Sequence, residues 1–108
     1  MRYYEILYIV HPDFEEERLL KVQDDVNDRV KKLGSKIINS YMWGKRKLAY
    51  LVDKQKYGTY MMLQYETETP AVDELNSWME LNEAILAYYT VRLNQRPEEK
   101  ELGESNGE

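Results

Sequence analysis

The sequence predicts an α+β fold in which the elements run β-α-β-β-α-β. Three observations carry that expectation. Apolar spacing changes twice from strand-like runs to a helical period. Turn and cap residues fall at each changeover, at His11-Pro12, Gly34, Asp53, Thr69-Pro70 and Asn82-Glu83. And 108 residues are enough for one hydrophobic core but not for two.

The first strand is Arg2 to Val10, rich in Tyr, Ile and Val. Its apolar residues fall on both parities, interrupted by Glu5, as expected of a strand covered on both sides and central in its sheet. His11-Pro12 ends it. Asp13 is the expected N-cap of the first helix, with Glu16 in capping-box position. Leu19, Val22, Val26, Val30 and Leu33 then make one apolar stripe, and Gly34 fits the C-terminal cap.

Lys36 to Val52 reads as a long strand, with Gly44 marking a bulge or bend. Asp53 to Lys56 is turn-like, and Tyr57 to Glu68 completes a hairpin. Thr69 and Pro70 have the chemistry of a helix N-cap and first position, and Asp73 and Glu74 suit the positive end of the helix dipole. Val72, Leu75, Trp78 and Met79 form the expected buried face. Ile85 to Leu93 is the last strand, with Ile85, Ala87, Tyr89, Val91 and Leu93 expected on one face.

Right-handed crossovers place both helices on one face of a four-stranded antiparallel sheet of order 4-1-3-2, the ferredoxin-like arrangement. The other face must meet solvent or a partner. Residues 1–96 form the expected domain. Residues 97–108, with one large apolar side chain, are expected to be a disordered acidic tail.

Composition narrows the function. With no Cys and one His, thiolate metal sites, cysteine nucleophiles and paired-histidine catalysis are excluded. No cofactor or metal is expected. No uncharged run approaches a membrane span, and no signal peptide is read. His11 before proline suits a structural role, and Glu15, Glu16 and Glu17 lack the alternation of a calcium loop. The glycines form no phosphate-cradling motif. The third strand also fails the RNA-recognition-motif signature, since Thr59 stands where a stacking aromatic is needed.

The net charge of −5 misleads. Glu98 to Glu108 carries five glutamates against Lys100, or −4, so the rest of the chain is near neutral. Between Trp43 and Lys56, the cations Lys45, Arg46, Lys47, Lys54 and Lys56 meet only Asp53, leaving +4. Cations suit phosphates, and Trp43 and Tyr50 offer rings for stacking. The plainer reading of such a run is a solvated hairpin.

Three segments resemble the bacterial and organellar ribosomal protein six family of the small subunit. They are Arg2-Tyr3-Tyr4-Glu5-Ile6, Trp43-Gly44-Lys45-Arg46-Lys47-Leu48-Ala49-Tyr50, and Asn82-Glu83 with Ile85-Leu86 and Val91-Arg92-Leu93. The resemblance spans Arg2 to about Arg96. It implies a structural, non-catalytic protein, ribosome-bound in the cytoplasm or an organelle. Such a protein binds small-subunit rRNA together with the small, basic ribosomal protein eighteen, as a heterodimer. Matched positions make Arg2, Lys45, Arg46, Lys47 and Tyr50 candidate contacts, to which Lys54 and Lys56 of the basic hairpin and Arg92 of the last strand are added. The sequence departs from the family pattern at Leu51, where Pro is frequent, and at Ala87, where Arg is frequent. A reading from a different class is a dimeric ferredoxin-like domain that binds or converts a small molecule between open sheets. The basic hairpin argues against it.

Overall fold

The computed structural model describes residues 1–68 and 72–100. The order is β1 (Arg2–Val10), α1 (Glu16–Lys32), β2 (Lys36–Val52), β3 (Gln55–Thr67), α2 (Val72–Leu81) and β4 (Ile85–Leu93). The strands form one antiparallel sheet of order β2-β3-β1-β4, the arrangement expected, with β1 and β3 interior. Both helices lie on one face. Their core joins Tyr4, Ile6, Tyr8 and Val10 of β1 and Met61, Leu63 and Tyr65 of β3 to Leu19, Val22, Val26 and Val30 of α1 and Leu75 and Met79 of α2. Ile6, Tyr8, Val10, Val26, Met61, Leu63 and Met79 are sealed from solvent on the helix side, and Ile9, of the opposite parity, is buried as well, so β1 does carry apolar load on both parities.

α1 begins later than its capping residues suggest. Glu15 is at the N-cap and makes no side-chain cap bond. The backbone N–H of Asp13 instead donates to His11 Nδ1 at 3.3 Å. Phe14 is the physical reason. Its ring stacks on His11 at 5.5 Å, lies under the Arg18 guanidinium at 3.8 Å, and packs against the core. Residues 12–15 are used in seating that ring before the helix starts. The C-terminus ends as expected. Gly34 has φ +85°, a conformation open to glycine. Ser35 N–H donates to Val30 O and Gly34 N–H to Lys31 O, the paired bonds of a Schellman motif.

The β2–β3 hairpin turns on two residues, Asp53 and Lys54, not on the four-residue segment expected. Both have positive φ, as the tightest hairpin turn demands. At the other end of the chain, a register shift between Ile9 and Val10 turns Ile85 into the helix-side core beside Val10. Ile85 therefore does not share a face with Ala87, Tyr89 and Val91. Tyr88 and Thr90 point to α2, where their hydroxyls donate to Glu80 Oε1 at 3.0 Å and Asn76 Oδ1 at 2.9 Å. The expected cap at Thr69 and Pro70 lies outside the described residues.

Two core hydroxyls, on Tyr8 and Tyr65, have no hydrogen-bond partner among the described residues. Burial pushes the Tyr65 phenol up to about 12 and raises that of Tyr8 further, with Asp24 adding to the latter. The unfolded chain ionises these phenols near pH 10, while the folded state keeps them protonated. Above pH 10 the unfolded state thus binds fewer protons, and stability falls as pH rises toward the folded values. Urea titrations between pH 9 and 12 should show that fall. Tyr8→Phe should reduce it and, at neutral pH, leave stability unchanged or raised by about 1 kcal/mol, because no bond is lost. A loss above about 1 kcal/mol at pH 7 would mean the hydroxyl is bonded after all.

Candidate nucleic-acid interface

The hairpin continues past the end of β1 as an arm. Val10 pairs with Thr59, and beyond that point β2 and β3 have only each other as neighbours in the sheet. Three irregularities shape β2. One unpaired residue interrupts the register at Ile37/Asn39 and at Met42/Gly44, and a longer break falls at Lys47/Val52. Gly44 sits at the middle break with φ +119°, so the bulge expected there is present. It turns out the Trp43 ring, which is exposed. Arg46 folds back on it, with its guanidinium 5.6 Å from the ring centre and Nη2 donating to Trp43 O at 3.3 Å.

Lys45 and Lys47 pair with Thr59 and Tyr57, and Arg46 pairs with Gly58, so successive cations alternate between the two sides of the arm. Between Lys47 and Val52 the strand holds four residues, Leu48 to Leu51, opposite the single residue Lys56. Leu48 turns inward and is buried, whereas Tyr50 is 72% exposed and Leu51 60% exposed. Lys54 is in the turn and Lys56 follows it, both exposed. Among the described residues, none of Lys45, Lys47, Lys54 and Lys56 is in an ion pair. The sequence candidates Lys45, Arg46, Lys47, Tyr50, Lys54 and Lys56 are thus gathered on one arm.

Arg2 and Arg92 are not gathered with them. Arg2 pairs with Thr67, and Arg92 with Tyr4, at the far end of the sheet. Eight residue steps along β1, roughly 25–30 Å, separate that end from the arm.

The face of the sheet away from the helices carries a feature the sequence reading missed. It has a polar stripe through Glu5, Gln64 and Asn39, which are neighbours in register across β1, β3 and β2. Gln64 Nε2 donates to Glu5 Oε1 at 2.8 Å, and Asn39 Nδ2 to Gln64 Oε1 at 2.7 Å. Asn39 also clamps the chain that follows β4. Its Nδ2 donates to Glu98 O, and its Oδ1 accepts from Lys100 N–H, both at 2.7 Å. Arg96 Nε meets Glu66 Oε1 at 3.1 Å, and the Lys100 ammonium lies 4.3 Å from the Tyr41 ring centre. Residues 94–100 therefore strap the sheet from the β4 edge to the β2 edge.

The sequence places the start of a disordered tail at residue 97. The structure docks Glu98 and Lys100, and residues 101–108 lie outside the described residues. The available signal was polar parity: Glu5, Asn39 and Gln64 interrupt three apolar strands on one face. Toward β4 the same face stays open, with Tyr89 and Val91 about half exposed.

The fold and arm define a class: a ferredoxin-like sandwich with a basic hairpin and no candidate metal cluster among the described residues. The family model for ribosomal protein S6 matches residues 3–92. The small ribosomal subunit protein bS6 of Desulforamulus reducens is 35% identical over 92 residues, covering 85% of this chain and 97% of that protein. Its counterpart in Thermoanaerobacter pseudethanolicus is 33% identical over 95 residues, covering 88% of this chain and all of that one. The crystal structure of 30S ribosomal protein S6 from Thermotoga maritima superposes with a TM-score of 0.80 at 25% identity, covering 85% of this chain and 87% of that one. The chain belongs to the ribosomal protein S6 family, structural proteins of the small ribosomal subunit and not enzymes. No helix among the described residues is long and apolar enough to cross a membrane.

The strap generates a test. Truncation after Pro97 removes both backbone partners of Asn39 and uncovers a side chain that is 5% exposed in the intact chain. At about 0.5–1.5 kcal/mol per hydrogen bond, the two lost bonds cost about 1–3 kcal/mol. The thermal midpoint should fall by roughly 4–8 °C per kcal/mol. Asn39→Ala should mimic most of that fall in the full chain. An unchanged midpoint on truncation would show that the strap adds nothing to stability.

Proposed function

We propose that this protein binds small-subunit rRNA through the basic arm and does so together with ribosomal protein eighteen, ribosome-bound in the cytoplasm. The observation that carries this reading is the arm itself. Lys45, Lys47, Lys54 and Lys56 stand on one two-stranded projection with no ion-pair partner among the described residues, beside the exposed rings of Trp43, Tyr50 and Tyr57. Unpaired surface cations near a phosphate backbone gain by releasing counterions, and flat rings stack on bases of any sequence. The folded part as a whole is close to neutral, because its acidic body offsets the arm's +4, which supports weak RNA binding by this chain alone and a need for a basic companion.

The open part of the sheet suits that companion. Tyr89 and Val91 offer apolar area there, while Glu5, Glu98 and Glu99 give the surroundings an acidic character. Arg2 and Arg92, far from the arm, are proposed as a second and separate contact for RNA or partner.

Replacing Lys45, Arg46 and Lys47 together by Ala should leave the circular dichroism spectrum unchanged, because all three side chains are exposed. With ribosomal protein eighteen present, rRNA affinity should drop and the log–log salt slope flatten by up to about 2–3 units, near 0.7–0.9 per lost phosphate contact. Tyr50→Ala should weaken binding without changing that slope. Equal affinity and slope in a folded triple variant would show that the arm faces solvent in the complex.

A further inference from the structure

We infer that Gly58, Leu48 and Ile9 form a joint that fixes the direction of the basic arm, making Gly58 and Leu48 positioning residues for RNA contact. This rests on the arm's proposed role in binding rRNA. Leu48 is buried, although Lys45, Arg46 and Lys47 before it and Ala49, Tyr50 and Leu51 after it are all exposed. It opens the break in which four residues of β2 stand opposite Lys56 alone, and it falls on the same side of the arm as Arg46 and Gly58.

Its seat is Gly58. A Cβ added there would lie 3.5 Å from Leu48 Cδ2, 3.7 Å from Val10 O, and directly against Ile9 Cγ2, well inside van der Waals contact. The backbone of Gly58 is not in the left-handed region, so the demand is for space and not for φ. Ile9 cannot easily yield. Its side chain is branched at Cβ, leaving few rotamers, and it is 3% exposed. Ile9 belongs to β1, whereas Leu48 and Gly58 belong to the arm, and Gly58 pairs directly with Arg46. The contact therefore ties the root of the arm to the body next to one of its cations. A two-stranded ribbon on its own twists and bends freely compared with a wider sheet. A packed joint holds its cations in one array before RNA arrives, so less ordering is needed on binding.

The test uses the full chain with ribosomal protein eighteen and transcribed small-subunit rRNA. Gly58→Ala and Leu48→Ala should each weaken binding by about tenfold or more and flatten the salt slope by roughly one unit, while Lys45, Arg46 and Lys47 are all still present. Leu48→Met, which keeps the volume, should bind like the parent protein. Affinities are compared at equal folded fraction, so a mere loss of stability leaves the slope unmoved. Should Gly58→Ala not fold, Leu48→Ala decides, since it removes atoms and introduces no clash. If folded Leu48→Ala has parental affinity and slope while the triple arm variant is weakened, the joint does not aim the arm and the inference is overturned. If the triple variant also binds normally, the arm's RNA role fails first and the joint's role falls with it.

Discussion

Everything in this molecule depends on a four-stranded sheet that has helices on only one side. The helix side is closed by a sealed set of side chains from β1, β3, α1 and α2. A single covered face leaves the second face of β1 and β3 to be protected by other means, because apolar residues there lose their driving force if left in water. The chain uses two local solutions. The strap of residues 94–100 covers the stripe of Glu5, Gln64 and Asn39. The arm folds Leu48 back toward Gly58 and Ile9. Ile9, Tyr41 and Met62 are buried on this helix-free face as a result. What remains open is the β4 side, around Tyr89 and Val91.

The irregularities of β2 serve the same constraint. A regular 17-residue strand would present one straight row of side chains to each face. The break at Ile38 brings Asn39 into register with Gln64, where the clamp on the strap needs it. The break before Gly44 turns Trp43 out, and the one after Lys47 opens at the buried Leu48. Each break also spoils the outer edge of β2 as a template for another strand, and the lysines at 36, 45 and 47 reinforce that defence. Shape and solubility are obtained from the same insertions.

Local chemistry was legible in the sequence, and contacts across long separations were not. Periodicity located all six elements and the bounds of β1, β2 and β4. Gly44 announced its bulge, Gly34 its helix end, and the dual parity of β1 its central place. The start of α1 was misread because capping residues compete with the seating of Phe14, a tertiary effect that spacing does not register. Ile85 was put on the wrong face because a one-residue shift between Ile9 and Val10 inverts parity. The clamp joins Asn39 to Glu98 and Lys100, about sixty positions away, by backbone groups that any residue could supply. Polar composition around them reads as disorder, although two well-placed hydrogen bonds hold the segment. The cations of the arm were found by type alone, whereas the separation of Arg2 and Arg92 from them needed the sheet order.

Charge follows the same division between arm and body. In the helices, Arg29 stacks near Trp78 at 5.5 Å, Lys21 pairs with Asp25 at 3.3 Å, and Arg18 covers Phe14, so these cations are occupied with holding the fold. The arm's lysines are occupied with nothing in the described structure. A cation already paired must lose that partner before it neutralises a phosphate, and the exchange nearly cancels at a surface. An unpaired one releases counterions at little cost. The net charge of −5 is therefore a poor guide to where this surface could meet a phosphate, which depends on which cations the fold leaves unpaired. The hairpin thus combines a bulge at Gly44, a close-packed glycine at Gly58 and lysines without ion-pair partners among the described residues, which sets its charge apart from that of the body.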